Sequence, residues 1–201
     1  MSSFTAAVGP QPAATASHTY TAAGTYTVKV TVTDAAGLAG TKTAQVVVQT
    51  NFVRNYGFET DLSGWNTSGG GTGITLERVA VGHSGDWAAK LTNTSASASS
   101  ALLNDSPNWV IATSASTYAG TLWARADTAG ATLNLRFREY SGSTLVGSAT
   151  TQVKLTTTWQ KVTVAYATGA AGASTLDFNA YVVSAAAGTG FYADDAAIYI
   201  P

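Results

Sequence analysis

Thr132-Leu133-Asn134-Leu135-Arg136-Phe137-Arg138-Glu139-Tyr140 alternates apolar and polar side chains almost without a break. A period of two belongs to a strand with one face buried and the other exposed. Leu133, Leu135 and Phe137 form the core side, and Asn134, Arg136, Arg138 and Tyr140 the opposite side. Two further runs carry the same signature. In Leu176–Val183, the set Leu176, Phe178, Ala180 and Val182 opposes Asp177, Asn179 and Tyr181. In Thr117–Ala126, Tyr118, Leu122 and Ala124 oppose Thr121, Trp123 and Arg125. From residue 51 the chain offers more strands at Ile74–Val81, Trp87–Asn93, Ser148–Val153, Gln160–Ala167 and Gly190–Ile200. Clusters of Gly, Ser, Asn and Asp separate them, and no clear helix appears. Thr113–Ser116 and Gly169–Ala173 are too small and polar for core helices. Strands of this number and spacing predict an all-β fold, a two-sheet jelly-roll β-sandwich over residues 51–201.

The composition narrows the function classes. The 201 residues allow one or two domains, and 45% hydrophobic content suffices for a core. Charged residues reach only 10%, against roughly 25% in ordinary globular domains. A hydroxyl-rich surface of this kind suits an extracellular β protein. The net charge of −1 gives no electrostatic footprint for nucleic acid or an anionic membrane. Cysteine is absent, which excludes disulfides and thiolate zinc sites. No apolar run is long enough to cross a bilayer. Met1-Ser2-Ser3-Phe4 lacks the basic start and apolar stretch of a secretion signal.

Residues 1–16, with Pro10 and Pro12, read as a tail or loop. Beyond them Tyr26, Val28, Val30 and Val32 alternate with Thr27, Lys29, Thr31 and Thr33. Asp34-Ala35-Ala36-Gly37 is a turn, and Thr43–Val48 a second strand. His18-Thr19-Tyr20, Gly24-Thr25-Tyr26-Thr27-Val28 and Val32-Thr33-Asp34 resemble the second half of a polycystic-kidney-disease-type (PKD) repeat. That repeat is an immunoglobulin-like β-sandwich and a common spacer in secreted polysaccharide-degrading enzymes. The Trp-Asp-Phe-Gly-Asp-Gly stretch that usually precedes it is missing, so residues 17–49 are expected to form a partial unit. Half a sandwich exposes an apolar face, which must dock, pair or stay partly disordered. His18, with no chemical partner nearby in sequence, reads as a packed side chain.

Two segments near the ends of the second unit carry acids. Asn55-Tyr56-Gly57-Phe58-Glu59 opens it, with Gly64-Trp65 soon after, and Tyr192-Ala193-Asp194-Asp195 closes it. Acids inside an apolar strand are costly unless something offsets their charge. The spacing suggests that the first and last strands meet and share a hard cation such as calcium. These segments, together with Ser84–Leu91, Tyr118–Arg125 and Thr156–Val164, resemble in order the carbohydrate-binding modules of families four, nine, sixteen and twenty-two. The resemblance implies a jelly roll with a structural calcium ion, a concave sheet that binds glycan, and a non-catalytic targeting role. It implies a metal site at Gly57, Glu59, Gly85 and Asp194, with Asp195 a weaker candidate. It also implies secretion, as part of a larger multidomain enzyme.

Alternation supplies the candidate glycan-binding residues: Trp123, Arg125, Asn134, Arg136, Arg138, Tyr140, Asp177, Asn179 and Tyr181. If their strands are neighbours, they line one surface. Aromatic rings take the C–H side of a pyranose while rigid polar groups sort its hydroxyls. Three of the five arginines fall in this set. Guanidinium forks fit carboxylates and sulfates, so the ligand is a neutral β-glycan or an acidic glycan. Trp65 and Trp159 read as packing residues, Trp87 as either, and Trp109 as a possible rim. Two other functions compete. One is an adhesive cell-surface sandwich using the same face against a protein. The other is a polysaccharide hydrolase or lyase, for which Asp177 is the acid on the right face while Glu139 falls on the core side.

Overall fold

The computed structural model describes residues 18–169 and 174–201. The tail expected at 1–16, and part of Gly169–Ala173, lie outside them. The chain divides into two compact units, Met1–Thr50 and Asn51–Pro201.

Among the described residues the first unit contains one antiparallel pair, β1 (Gly24–Thr33) and β2 (Ala39–Val48). Asp34 closes their turn: its Oδ1 accepts the Ala36 and Leu38 N–H groups at 2.9 and 2.8 Å. Tyr26 pairs with Val46 and Val28 with Ala44, so Tyr26, Val28, Val30, Val32 and Val46 share one face. That face is largely open, with Val32 at 55% exposure. His18 meets the Tyr20 ring edge-on, centroids 4.6 Å apart, but it is exposed rather than packed as expected.

The second unit is a sandwich of two five-stranded sheets. One sheet has the order β10 (Gln160–Ala167), β7 (Thr117–Ala126), β12 (Gly190–Tyr199), β5 (Ala88–Asn93) and β4 (Ile74–Val79). We call it sheet I. The other, sheet II, runs β3 (Trp65–Asn66), β6 (Ser99–Asp105), β11 (Ser174–Ala185), β8 (Thr132–Ser141) and β9 (Thr144–Lys154). All pairings are antiparallel. The described residues contain no helix.

The core is where the alternation places it. Leu133, Leu135 and Phe137 from β8 are fully buried, as are Leu176 and Phe178 from β11 and Leu122 from β7. The Phe137 and Phe178 rings pack at a tilt, centroids 5.1 Å apart. They reach across to Gly120 on β7, where a Cβ would lie only 2.6 Å from Phe178. That position holds glycine because the facing rings leave no room for a side chain. The ends of the unit meet as expected. Phe52 N–H donates to Ile198 at 2.8 Å and Ala196 N–H to Tyr56 at 2.9 Å.

Candidate functional site

The acids at the two ends converge around one turn. Asp194 is fully buried. Its Oδ2 accepts the His83 and Ser84 N–H groups at 2.6 and 3.2 Å, and its Oδ1 the Asp195 N–H at 2.7 Å. Burial still pushes its carboxyl up to about 6. Glu59 holds the same turn from the other side, accepting the Asp86 and Trp87 N–H groups at 3.2 Å each. Gly85 adopts φ +61°, and a Cβ there would sit 2.4 Å from Glu59 Oε1. Gly57 faces Asp194, with a Cβ position 3.9 Å from its Oδ1. Thus Gly57, Glu59, Gly85 and Asp194 form one clasp. Asp195 lies in a bulge of β12 with φ +46° and binds the turn instead, through His83 Nδ1 at 2.6 Å and Ser84 Oγ at 2.7 Å. Arg78 braces the clasp too: its Nε donates to Phe58 O at 2.7 Å and its Nη2 to Glu59 O, with Trp87 beneath it.

The outer face of sheet II gathers most of the expected glycan-binding residues. Asp177 pairs with Arg138, Asn179 with Arg136, and Tyr181 with Asn134 across β11 and β8. Tyr140 lies opposite Thr175. Arg138 makes a bidentate contact with Asp177, Nε to Oδ1 at 3.1 Å and Nη2 to Oδ2 at 2.9 Å. Arg136 Nε donates to Asn179 Oδ1 at 3.1 Å, and its guanidinium lies 4.6 Å from the Tyr181 ring centre. Asn179 also donates to Asp177 Oδ1. Asn179 is fully buried and Asp177 nearly so. These two therefore position the arginines rather than meet a ligand themselves. Asn134 is held by Gln152 at 2.7 Å. Arg136, Arg138, Tyr140 and Tyr181 are half-exposed, and Gln152 beside them is exposed.

Trp123 and Arg125 require a correction, because β7 belongs to sheet I. They lie on the far side of the sandwich from Arg136. Trp123 stacks on His83 at 3.7 Å. Arg125 sits 3.7 Å from the Tyr192 ring and 5.2 Å from Trp159. Lys90, ion-paired to Asp127 at 3.3 Å, completes the group over Tyr192. This cluster pins the turn of the clasp onto the outer face of sheet I. Trp65 is buried in the core. Trp109 lies over Gly64 beside a separate cleft lined by Arg54, Asp61 and Ser63.

The remaining acids point inward. Glu139 is buried on the core side, accepting Tyr166 Oη–H at 2.8 Å and Ser174 Oγ–H at 2.5 Å. Desolvation and this carboxylate push the Tyr166 hydroxyl up to about 12. Asp105 is fully buried between the sheets.

Sequence reasoning missed Asn104, Gln152, His83 and Arg78. Asn104 joins the outer face of sheet II opposite Asn179, with its Oδ1 buried and unpartnered among the described residues. Its strand, β6, is buried on both faces at Leu102 and Leu103, so no alternation marks it. Gln152 could have been found, because Ser148, Thr150 and Gln152 alternate with Ala149, Thr151 and Val153. His83 and Arg78 act through loops and main-chain oxygens, which carry no sequence pattern.

Residues 50–186 match the model of a carbohydrate binding domain, and residues 9–48 that of a PKD domain. No curated protein sequence matches the chain. Among solved structures it is similar to TmCBM61 in complex with β-1,4-galactotriose, at TM-score 0.58 and 19% identity over 76% of this chain and 99% of that one. It is similar to the CBM22-1 xylan-binding domain from Paenibacillus barcinonensis Xyn10C, at TM-score 0.55 and 15% identity over 76% and 95%. It is also similar to the enzymatically active domain of bacteriophage CBA120 tailspike protein 4, at TM-score 0.59 and 16% identity over 75% of this chain but 21% of that one. At these identities the likeness establishes the shared sandwich fold.

Proposed function

The chain belongs to the carbohydrate binding domain family, and from that premise we propose that single polysaccharide or oligosaccharide chains bind the outer face of sheet II. The observation that carries this reading is the pre-set pair of arginines. Asp177 and Asn179, themselves buried, hold Arg138 and Arg136 in fixed poses beside Tyr140 and Tyr181. Donors fixed before binding lose little entropy when a ligand arrives. Arginine covers part of the Tyr181 ring, so hydrogen bonding to sugar oxygens outweighs ring stacking here. That balance favours individual chains over the flat faces of crystalline polymer.

The role is binding without catalysis. Hydrolysis needs two carboxylates flanking the scissile bond. Asp177 is tied to Arg138, and Glu139 points into the core. No second acid stands on this face among the described residues. In this reading the module is secreted and brings an attached enzyme to its polymer. Isothermal titration against soluble polysaccharides tests the site. Tyr181→Ala, which removes both the ring and its support of the Arg136 guanidinium, is expected to weaken binding by up to about tenfold, with no reducing ends released by the purified chain. Binding of a protein partner, with no glycan bound, would favour the adhesive reading.

The clasp is proposed to hold a calcium ion, with Glu59 and Asp194 supplying carboxylate oxygen and Gly57 and Gly85 main-chain oxygen. The fit rests on Asp194, a fully buried carboxylate with no ion-pair partner among the described residues. A cation there offsets the cost of its burial. The ion would supply cross-linking of the first and last segments, and so stability.

A further inference from the structure

The charges on the outer face of sheet II are not balanced. The register places Arg136, Arg138, Asp177 and Lys154 on it. Arg138 and Asp177 neutralise one another through a bidentate pair at 3.1 and 2.9 Å. Lys154 stands at the edge, on β9 opposite Thr132. Arg136 is different. Its one hydrogen bond uses Nε and goes to Asn179, a neutral amide. Its two Nη atoms have no hydrogen-bond partner among the described residues, and no carboxylate lies against it. In a chain of net charge −1, this central face carries uncompensated positive charge.

We propose that the glycan bound here is anionic, with the oxyanion of a uronic acid or a sulfate ester seated on the free Nη edge of Arg136. The proposal rests on the reading of this face as the glycan site. A ligand lying on the face removes Arg136 from water. A neutral sugar would leave that charge desolvated and only partly satisfied, whereas an oxyanion compensates it. The two Nη groups present parallel donors, the geometry that takes a carboxylate or sulfate through two oxygens. Asn179 and the Tyr181 ring fix the guanidinium plane, so the fork is oriented before the anion arrives. Arg138 cannot play this part, because drawing it to a ligand would strand Asp177.

Calorimetry of the whole chain separates the possibilities. The probes are an oligogalacturonide, its carboxyl-reduced counterpart, a sulfated galactan oligosaccharide, xylohexaose and cellohexaose. At least one anionic probe is expected to bind. Its affinity should fall roughly ten- to hundredfold on Arg136→Gln and decline with rising salt. For the oligogalacturonide, carboxyl reduction should cause the same loss without touching the protein, so a folding defect in the variant cannot mimic it. Binding of the sulfated probe alone assigns the anion as sulfate; binding of the oligogalacturonide alone assigns it as carboxylate. Neutral probes binding as tightly as the anionic ones, unaffected by Arg136→Gln or salt, would overturn the anionic class while leaving the glycan face intact. Absence of binding to every probe overturns both.

Discussion

Both carboxylate oxygens of Asp105 accept backbone N–H groups, from Phe178 at 3.0 Å and from Trp109 at 3.2 Å. Desolvation outweighs those bonds and raises the carboxyl to about 8. A carboxyl with a raised folded value holds its proton more tightly folded than unfolded. Its contribution to stability is therefore complete below pH 4 and is lost as pH rises through about 8. The urea midpoint is expected to fall between pH 5 and 8, and Asp105→Asn to flatten that slope. An identical slope in the variant would remove Asp105 as its source. Gly85 makes a second residue-scale prediction. Its φ of +61° and its contact with Glu59 exclude a side chain. Gly85→Ala should cost about 1–3 kcal/mol and weaken the response of the melting temperature to calcium.

At the scale of elements, alternation sorts faces within a strand but does not say which strands are neighbours. It places Leu133, Leu135 and Phe137 inward and Arg136 outward on β8, as the structure has them. It places Trp123 outward on β7 equally well, yet β7 lies in the opposite sheet. Sheet membership depends on pairings between residues far apart in the chain, and no local pattern encodes them. Strand β6 was illegible for another reason: with Leu102 and Leu103 both buried, it has no polar face to reveal a period of two. Trp123→Ala should thus leave glycan affinity within about twofold while costing about 1–3 kcal/mol of stability through the lost His83 stack. A tenfold loss of affinity would return Trp123 to the binding face. The β1–β2 pair yields its own expectation. Two strands with Val32 and Val47 exposed at 55% and 65% bury too little to stand alone. A peptide of residues 18–50 should show no cooperative thermal transition by circular dichroism.

For the whole molecule, the meeting of the ends is legible because Glu59 and Asp194 lie near the two ends of the second unit in sequence and hold one turn in space, whereas Gly57 and Gly85 are legible only through the family resemblance. The detailed roles on the outer face of sheet II, the proposed glycan face, are less legible. Nothing in the sequence distinguishes the buried Asn179 and Asp177 from the accessible Arg136, because burial there depends on crowding by neighbouring side chains. If calcium closes the clasp, saturation at about one hundred times the dissociation constant adds about 2.7 kcal/mol. A domain of this size should then melt about 5–10 °C higher than in chelator, and Asp194→Ala should abolish the difference. An unchanged melting temperature would leave the clasp held by hydrogen bonds alone. The central claim is that the outer face of sheet II binds carbohydrate. Affinity electrophoresis through gels containing single polysaccharides, neutral and acidic, tests it most directly with Tyr181→Ala and Trp123→Ala run beside the unaltered chain. The expected result is retardation of the unaltered chain and of Trp123→Ala, lost in Tyr181→Ala. Retardation that survives Tyr181→Ala and disappears in Trp123→Ala would contradict it.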